Sequence, residues 1–121
     1  MQRPFPTILV VDDEPGVADA LACALERAGY IVERAADGMS AFGAAQRVQP
    51  RVVVTDWMMP HGDGALLCGL LLRDSALCNT PVVISTSTRP LPVIANPTVR
   101  YCPKPCDPDE LVRVVRELAG V

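Results

Sequence analysis

The sequence predicts an α/β fold in which a parallel five-stranded sheet is covered by helices on both faces. Short, nearly continuous apolar runs alternate with longer segments of helical periodicity. Strands of this kind are typical of a sheet that is buried on both faces, because crossover helices cover it. The chain has 121 residues, about half of them apolar, which is enough for one core. We therefore expect residues 1–121 to form a single domain.

The first strand and helix carry clear local signals. Thr7–Val11 is a run of β-favouring residues, and Pro15–Ala28 has its apolar residues at helical spacing. Pro15 suits a first helical turn because that turn does not need its N–H group, and Gly29 suits the position after the last turn.

The same alternation continues to the end of the chain. Each further strand is short and apolar, and each further helix has an apolar stripe. We expect, in order, strand Tyr30–Arg34, helix Gly38–Val48, strand Arg51–Thr55, helix Ala65–Arg73, strand Val82–Ser85, strand 99–102 and helix Pro108–Ala119.

Charge and composition argue against several classes of function. The formal net charge is −3, and no run of Lys or Arg is present to neutralise a phosphate backbone. We therefore do not expect nucleic acid as a direct partner. The longest uncharged apolar run, Gly64–Leu72, is too short to span a bilayer, and the amino terminus lacks the apolar stretch of a signal peptide. We expect a cytoplasmic protein without membrane insertion.

The five cysteines do not have the paired spacing of a disulfide scaffold or a zinc site. Cys102 and Cys106 are close in sequence, but Pro103 and Pro105 stiffen the segment between them. We therefore expect free, reduced thiols, with metal binding or redox use as the alternative.

Lys104 is the only lysine among eleven basic residues. Lysine presents a compact, movable charge, whereas arginine presents a planar fork, so Lys104 suits contact with one oxygen of a carboxylate or phosphoryl group. The best candidates for its acidic neighbours are Asp12, Asp13 and Asp56, which all follow apolar runs.

The expected topology brings these acids together. In a doubly wound, flavodoxin-like sheet of strand order 2-1-3-4-5, strands one and three are neighbours, and the functional crevice lies beyond the carboxyl ends of the strands. Asp12 and Asp13 follow the first strand, Asp56 follows the third, and Thr86 follows the fourth. The three aspartates should therefore meet at one switch point.

With their neighbours, these residues resemble a response-regulator receiver domain of two-component signalling, of the kind found in chemotaxis regulators. The resemblance extends over nearly the whole chain. It rests on motifs that occur in order: Asp12-Asp13-Glu14-Pro15, then Asp56-Trp57-Met58-Met59-Pro60 with Gly62-Asp63-Gly64, then Thr86, Tyr101 and Lys104-Pro105.

The resemblance implies a phosphoryl-transfer site. Asp56 would take a phosphoryl group from phosphohistidine on a partner and become an acyl phosphate. Asp13, Asp56 and the backbone carbonyl of Met58 would bind Mg²⁺ directly, with Asp12 acting mainly through a coordinated water. Lys104 would contact a phosphoryl oxygen and offset its charge.

The resemblance also implies a switch and its partners. Thr86 resembles the hydroxyl that moves to hydrogen-bond the phosphoryl group, and Tyr101 resembles the aromatic residue whose rotamer follows that movement. A histidine kinase or histidine phosphotransfer protein would donate the group, and a downstream protein would be the target. Such a domain catalyses its own phosphorylation and dephosphorylation but is mainly a signalling switch. The sequence leaves open whether it acts alone, in a relay, or within a longer regulator or kinase.

Each candidate residue also has an ordinary structural interpretation. Asp13 could cap the first helix, and Asp56 could begin a turn. Lys104 could be a surface residue, Thr86 a strand-end hydroxyl, and Tyr101 a half-buried strand residue. The strand ends bring all of these residues together, which favours the functional interpretation.

One segment departs from the family. Residues 87–103 are fewer than the family usually has at this place, and they include Pro90, Pro92 and Pro97. Because proline removes a backbone donor and clashes with the preceding turn, we expect the fourth helix to be shortened or missing. We also expect residues 87–98 to be mobile and to become ordered with a partner.

Two other functions remain as hypotheses. The same fold could be a non-phosphorylated pseudo-receiver that binds a partner constitutively through the altered proline-rich face. An aspartate-nucleophile phosphatase of another α/β fold would need two acids two residues apart after its first strand, whereas Asp12 and Asp13 are adjacent. The second hypothesis therefore fits poorly.

Overall fold

The computed structural model describes residues 6–87, 91–94 and 98–120. Its five parallel strands form one sheet in the order β2-β1-β3-β4-β5, which confirms the predicted flavodoxin-like topology. Within the described residues the elements are β1 (Thr7–Val11), α1 (Pro15–Arg27), β2 (Ile31–Ala35), α2 (Gly38–Val48), β3 (Val52–Thr55), α3 (Gly64–Arg73), β4 (Val82–Ile84), β5 (Val99–Tyr101) and α4 (Pro108–Ala119).

The sheet is buried on both faces because its central strands carry apolar side chains on both sides. In β1, Ile8 and Val10 pack into the layer formed by α1 and α4. Leu9 and Val11 point the other way, into the layer formed by α2 and α3. Successive side chains of a strand alternate between faces, so an uninterrupted apolar run supplies both layers.

Side-chain caps fix where three of the helices begin. Asp37 accepts a hydrogen bond from the Ser40 backbone N–H at the start of α2, and Asp63 accepts one from Leu66 at the start of α3. Asp107 caps α4 in the same way. Helix α1 differs, because its N-cap residue Glu14 makes no side-chain cap and Pro15 occupies the first turn.

The predicted element ends are correct to within one or two residues. The clearest difference is at the end of α1, where Ala28 is the C-cap and Gly29 has a φ of 101°. The N–H of Tyr30 then donates to the carbonyl of Leu25, so Tyr30 closes the helix end instead of starting β2.

The connection from β4 to β5 contains no helix among its described residues, as the prolines predict. The expected mobility of residues 87–98 falls partly on 88–90 and 95–97, which lie outside the described residues, and it stays a prediction. Across the described parts of the chain, no helix is both long and apolar enough to cross a membrane.

The expectation of five free thiols is wrong for two of them. Cys102 and Cys106 form a disulfide, with their Cα atoms 5.8 Å apart, while Cys23, Cys68 and Cys78 are free. The intervening prolines do not hold the two cysteines apart, because the Cys-Pro-Lys-Pro-Cys segment turns tightly enough for its ends to meet.

Candidate functional site

The site lies where the central strands end. Val11 of β1 is aligned with Thr55 of β3, so the next residues, Asp12 and Asp56, leave the sheet side by side. The backbone N–H of Asp56 donates to the carbonyl of Val11 over 2.9 Å, which extends the ladder into the site. The switch point predicted from topology is therefore present.

Asp12, Asp13 and Asp56 form one acidic cluster. One carboxylate oxygen of each residue lies within 4.8 Å of the others. Asp12 and Asp56 are buried, with 6% and 8% of their surface exposed, whereas Asp13 is exposed. Three carboxylates this close repel one another unless a cation or a proton offsets their charge, and clustered oxygens are the ligands that hard divalent cations prefer. The cluster can therefore bind a metal ion.

Lys104 supplies one positive charge from the other side of the site. Its Nζ atom lies 3.1 Å from Asp56 Oδ2 and 3.5 Å from Asp12 Oδ2. A weaker approach, 3.8 Å, joins it to Glu14. Only 18% of the lysine side chain is exposed, so Lys104 is not an ordinary surface residue.

The backbone around Lys104 places its side chain. Cys102 N–H donates to the carbonyl of Ile84 over 2.8 Å, and Lys104 N–H donates to the carbonyl of Thr86 over 2.9 Å. The peptide bond between Lys104 and Pro105 is cis. The two hydrogen bonds to Ile84 and Thr86 hold the lysine backbone opposite the acids that follow β1 and β3.

The protonation of the site follows from burial and charge. Burial raises the pKa of Asp12, the Glu14 backbone N–H and the Lys104 ammonium lower it in part, and the neighbouring Asp56 carboxylate raises it further. Burial by itself would lower the pKa of Lys104, but the hydrogen bonds and charges of Asp56 and Asp12 raise it overall. Lys104 is therefore a cation at neutral pH.

Sequence reasoning missed the residues that hold Asp56 in place. Its Oδ1 accepts a hydrogen bond from the Trp57 backbone N–H at 2.7 Å, and its carbonyl accepts one from the Thr55 hydroxyl at 2.8 Å. Gly64 packs directly on this backbone, since a Cβ there would lie 2.7 Å from the Asp56 carbonyl oxygen. The only sequence signal for this contact was the pair of glycines around Asp63.

The ordinary structural interpretation of Asp13 fails. Asp13 does not cap α1, because the N-cap residue is Glu14. Asp12 is the acid that bonds to this turn, accepting the Glu14 N–H at 2.9 Å. The side chain of Met58 is exposed.

The two predicted switch residues lie on the β4–β5 side of the site. Thr86 is buried, at 1% exposure, directly after Ser85 at the end of β4. Tyr101 is half-buried at the end of β5, and its hydroxyl donates to the carbonyl of Pro92 in the proline-rich segment. Tyr101 thus links the strand end to the connection that replaces the fourth helix.

Comparison with protein families agrees with this geometry. The family model of the response regulator receiver domain matches residues 8–116. This range includes Asp12, Asp13, Asp56 and Lys104. Among solved structures, a response regulator from Chloroflexus aurantiacus is similar at a TM-score of 0.84 and 28% identity, covering 97% of this chain and 99% of that one. The chemotaxis response regulator CheY4 of Vibrio cholerae is similar at 0.81 and 26% identity, covering 94% and 98%.

The DNA-binding dual master transcriptional regulator RpaA of Synechocystis is also similar to this chain. It is 33% identical over 118 residues, which cover 94% of this chain and 49% of that protein. The chain spans about half the length of the first curated relatives that it matches.

Proposed function

The chain belongs to the response-regulator receiver family, and on that premise we propose that it accepts a phosphoryl group from phosphohistidine onto Asp56. One observation carries the proposal: Lys104 reaches across the sheet edge to within 3.1 Å of Asp56 in a pocket of three acids. A buried carboxylate with a cation at this distance is suited to group transfer, because it combines a nucleophile with a charge stabiliser.

The chemistry needs little more than position and charge. A carboxylate oxygen of Asp56 forms the new bond to phosphorus, and the phosphorus–nitrogen bond of the donor breaks. Its electron pair stays on the imidazole, which takes up a proton. The Trp57 N–H fixes Asp56 Oδ1, while Lys104 faces Oδ2 and can contact an incoming phosphoryl oxygen.

The acidic cluster fits the magnesium ion that the family implies, because its donors are carboxylate oxygens. We propose Asp13, Asp56 and the carbonyl of Met58 as direct ligands, with Asp12 acting through water. When bound, the ion supplies positive charge that offsets the carboxylates and the phosphoryl oxygens. Asp12 and Asp56 each also contact Lys104.

We propose that Thr86 and Tyr101 transmit the phosphorylated state. Thr86 follows β4 and lies next to residues 102–106, which we call the lysine loop. The Lys104 N–H of this loop donates to the Thr86 carbonyl. The Tyr101 hydroxyl donates a hydrogen bond to the Pro92 carbonyl, so a change of the Tyr101 rotamer would break this contact with the proline-rich segment 87–98. The proposed target is a downstream protein that binds this segment when Asp56 is phosphorylated.

The proposed donor is a histidine kinase or a histidine phosphotransfer protein. We propose that residues 1–121 act as one receiver domain, either by itself or within a longer regulator. The first curated relatives that it matches are about twice as long, so the output of the whole protein is part of this proposal.

Intact-mass measurement after incubation with Mg²⁺ and acetyl phosphate tests the function. We expect a labile addition of one phosphoryl group, which Asp56→Asn abolishes. Asp63→Asn is the matched control, because Asp63 is an acid of the same loop that only caps α3. If no donor, including a phosphohistidine protein, gives the adduct, the proposal is wrong and the constitutive pseudo-receiver is favoured.

A further inference from the structure

The disulfide between Cys102 and Cys106 encloses Lys104. The two cysteines are the ends of the segment Cys-Pro-Lys-Pro-Cys, and Lys104 is its middle residue. The phosphoryl-transfer chemistry described above does not use either sulfur. A covalent bond around the one residue that joins both sides of the site therefore needs its own explanation.

The disulfide completes the attachment of this loop. On the Cys102 side the backbone is held by hydrogen bonds from Cys102 to Ile84 and from Lys104 to Thr86. On the other side, Cys106 leads directly to Asp107, the cap of α4. The disulfide joins these two sides, so that the lysine backbone is held to the end of β4 by hydrogen bonds and is also cross-linked to the start of α4.

The two sulfurs differ in access. Cys102 is buried, with 4% of its surface exposed, and packs in the layer of α1 and α4. Cys106 is half-buried at the edge of the same layer. A reductant can therefore reach the sulfur of Cys106 more readily than that of Cys102, and access is one of the factors that control thiol–disulfide exchange.

The Cys106 side chain borders a space into which it could turn. A cavity of about 290 Å³ lies between α1 and the lysine loop and is lined by Lys104, Pro105, Cys106 and Ser85, among others. The Ser85 Oγ atom is buried and has no hydrogen-bond partner among the described residues. Once the disulfide opens, Cys106 is free to turn into this cavity, and the loop at 102–106 would be held by its hydrogen bonds to Ile84 and Thr86 and by the chain on either side, without the cross-link.

We propose that Cys102 and Cys106 are a reversible thiol–disulfide site that controls how firmly Lys104 is held against Asp56. The disulfide form holds the lysine in place, and the dithiol form loosens it. Where cellular dithiols keep thiols reduced, disulfides are usually transient or redox-sensing, which is the behaviour proposed for this pair. The effect on phosphoryl transfer rests on the proposed function, whereas the effect on the loop does not.

The exchange balances with a dithiol as the reductant. A thiolate of the dithiol attacks Sγ of Cys106 and forms a mixed disulfide, and Cys102 leaves as a thiolate that takes up a proton. The second thiol of the reductant then displaces Cys106, which is also protonated. The protein gains two electrons and two protons, and the reductant becomes a disulfide. A disulfide oxidant such as oxidised glutathione reverses the reaction.

The whole chain, oxidised with glutathione disulfide or reduced with dithiothreitol, provides the test. Peptide mapping should find the Cys102–Cys106 bond in the oxidised form only. Hydrogen exchange of the Lys104 amide should be about tenfold faster after reduction, because that amide donates to Thr86 in the closed loop. Phosphorylation of Asp56 by acetyl phosphate should be about tenfold slower, since small displacements of a positioning charge are costly.

Two variants separate this site from the other thiols. Cys106→Ala, at the half-buried position, should behave like the reduced form under both conditions. Cys23→Ala removes an exposed thiol far from the loop in sequence and should keep the full redox response.

Absence of the disulfide after oxidation, or equal exchange of the Lys104 amide in both wild-type states, overturns the inference without any variant. If exchange responds but neither form takes a phosphoryl group, the redox site stands and the proposed function fails.

Discussion

The two sides of the site are held by very different parts of the sheet. Asp12 and Asp56 follow β1 and β3, central strands of five and four residues in which every position is buried. Thr86, Tyr101 and Lys104 depend on β4 and β5, which have three residues each, and β5 is an edge strand that is only partly buried. The acids are therefore held by the most stable part of the fold. Thr86, Tyr101 and Lys104 are held by a part that can shift more easily.

Lys104 crosses this boundary. Its backbone belongs to the edge, while its ammonium contacts acids of the centre that lie 92 and 48 positions earlier in the chain. A change at the edge can thus reach the phosphoryl site through one side chain. Variants on either side of Lys104 can therefore measure how far the centre and the edge act independently.

The largest effect is expected from cutting this connection. Lys104→Ala should lower the rate of Asp56 phosphorylation by acetyl phosphate by about a hundredfold, because it removes a positioned charge at the developing phosphoryl oxygens. Lys104→Arg should give an intermediate rate, since it keeps the charge but replaces a compact ammonium with a planar fork. Intact mass against time measures both rates.

Arg100→Ala is the control for charge alone. Arg100 is also a cation of β5, but it is exposed and pairs with Glu117 on α4. Its loss should leave the rate unchanged. A rate for Lys104→Ala equal to that of Arg100→Ala would show that the two sides of the site are not joined through the lysine.

The next effect concerns the centre. Gly64→Ala should destabilise the fold by about 3 kcal/mol, because its Cβ would overlap the backbone carbonyl oxygen of Asp56 and force the strand end to shift. Phosphorylation should slow as well, since the shift moves the nucleophile. Gly69→Ala lies in the same helix with open space around its Cβ position, and it should stabilise the chain by about 0.5 to 1 kcal/mol.

Urea unfolding of both glycine variants, together with their phosphorylation rates, makes the comparison. Equal stabilities would mean that the approach of α3 to Asp56 does not position the site.

The contrast between centre and edge also explains what could be predicted from sequence. The central strands were predictable because Ile8, Leu9 and Val10 form an uninterrupted apolar run, and such a run has one good solution in a sheet covered on both faces. Asp12 and Asp56 followed, since alignment of β1 with β3 places their ends together. Local pattern and topology are sufficient to place these residues.

The rest of the site depends on contacts that no local pattern records. The bond from Trp57 to Asp56 and the packing of Gly64 arise only when the loop after β3 folds back on itself. The prediction of free thiols is wrong for Cys102 and Cys106, because the stiff prolines between them form a tight loop that brings the two sulfurs together. At the edge, side-chain geometry decides which contacts form, and sequence spacing alone does not predict them.

A matched pair of valines tests the contrast in stability directly. Val54→Ala in β3 should cost about 2 kcal/mol, from two lost methyl groups and the cavity they leave in a fully buried position. Val99→Ala in β5, where the side chain is partly exposed, should cost less than about 1 kcal/mol. Denaturant titration gives both values, and a larger loss at Val99 would reverse the assignment of the edge as the weaker part.

The smallest effect comes from a thiol of the centre, and it contrasts with the reactive pair at the edge. Burial, with a smaller contribution from Asp63, raises the pKa of the Cys68 thiol from 9.0 to about 11. The folded chain then holds this proton more tightly than the unfolded chain, so the stabilisation is complete below pH 9 and is lost as the pH rises through about 11. Between about pH 9 and pH 10, the free energy of unfolding of the wild type relative to Cys68→Ala should fall by about 1 kcal/mol. Cys23→Ala, measured in the same way, controls for an exposed thiol. A difference in unfolding free energy that does not change with pH would mean that water reaches Cys68 in the layer of α2 and α3. The centre would then not be more closed to water than the edge.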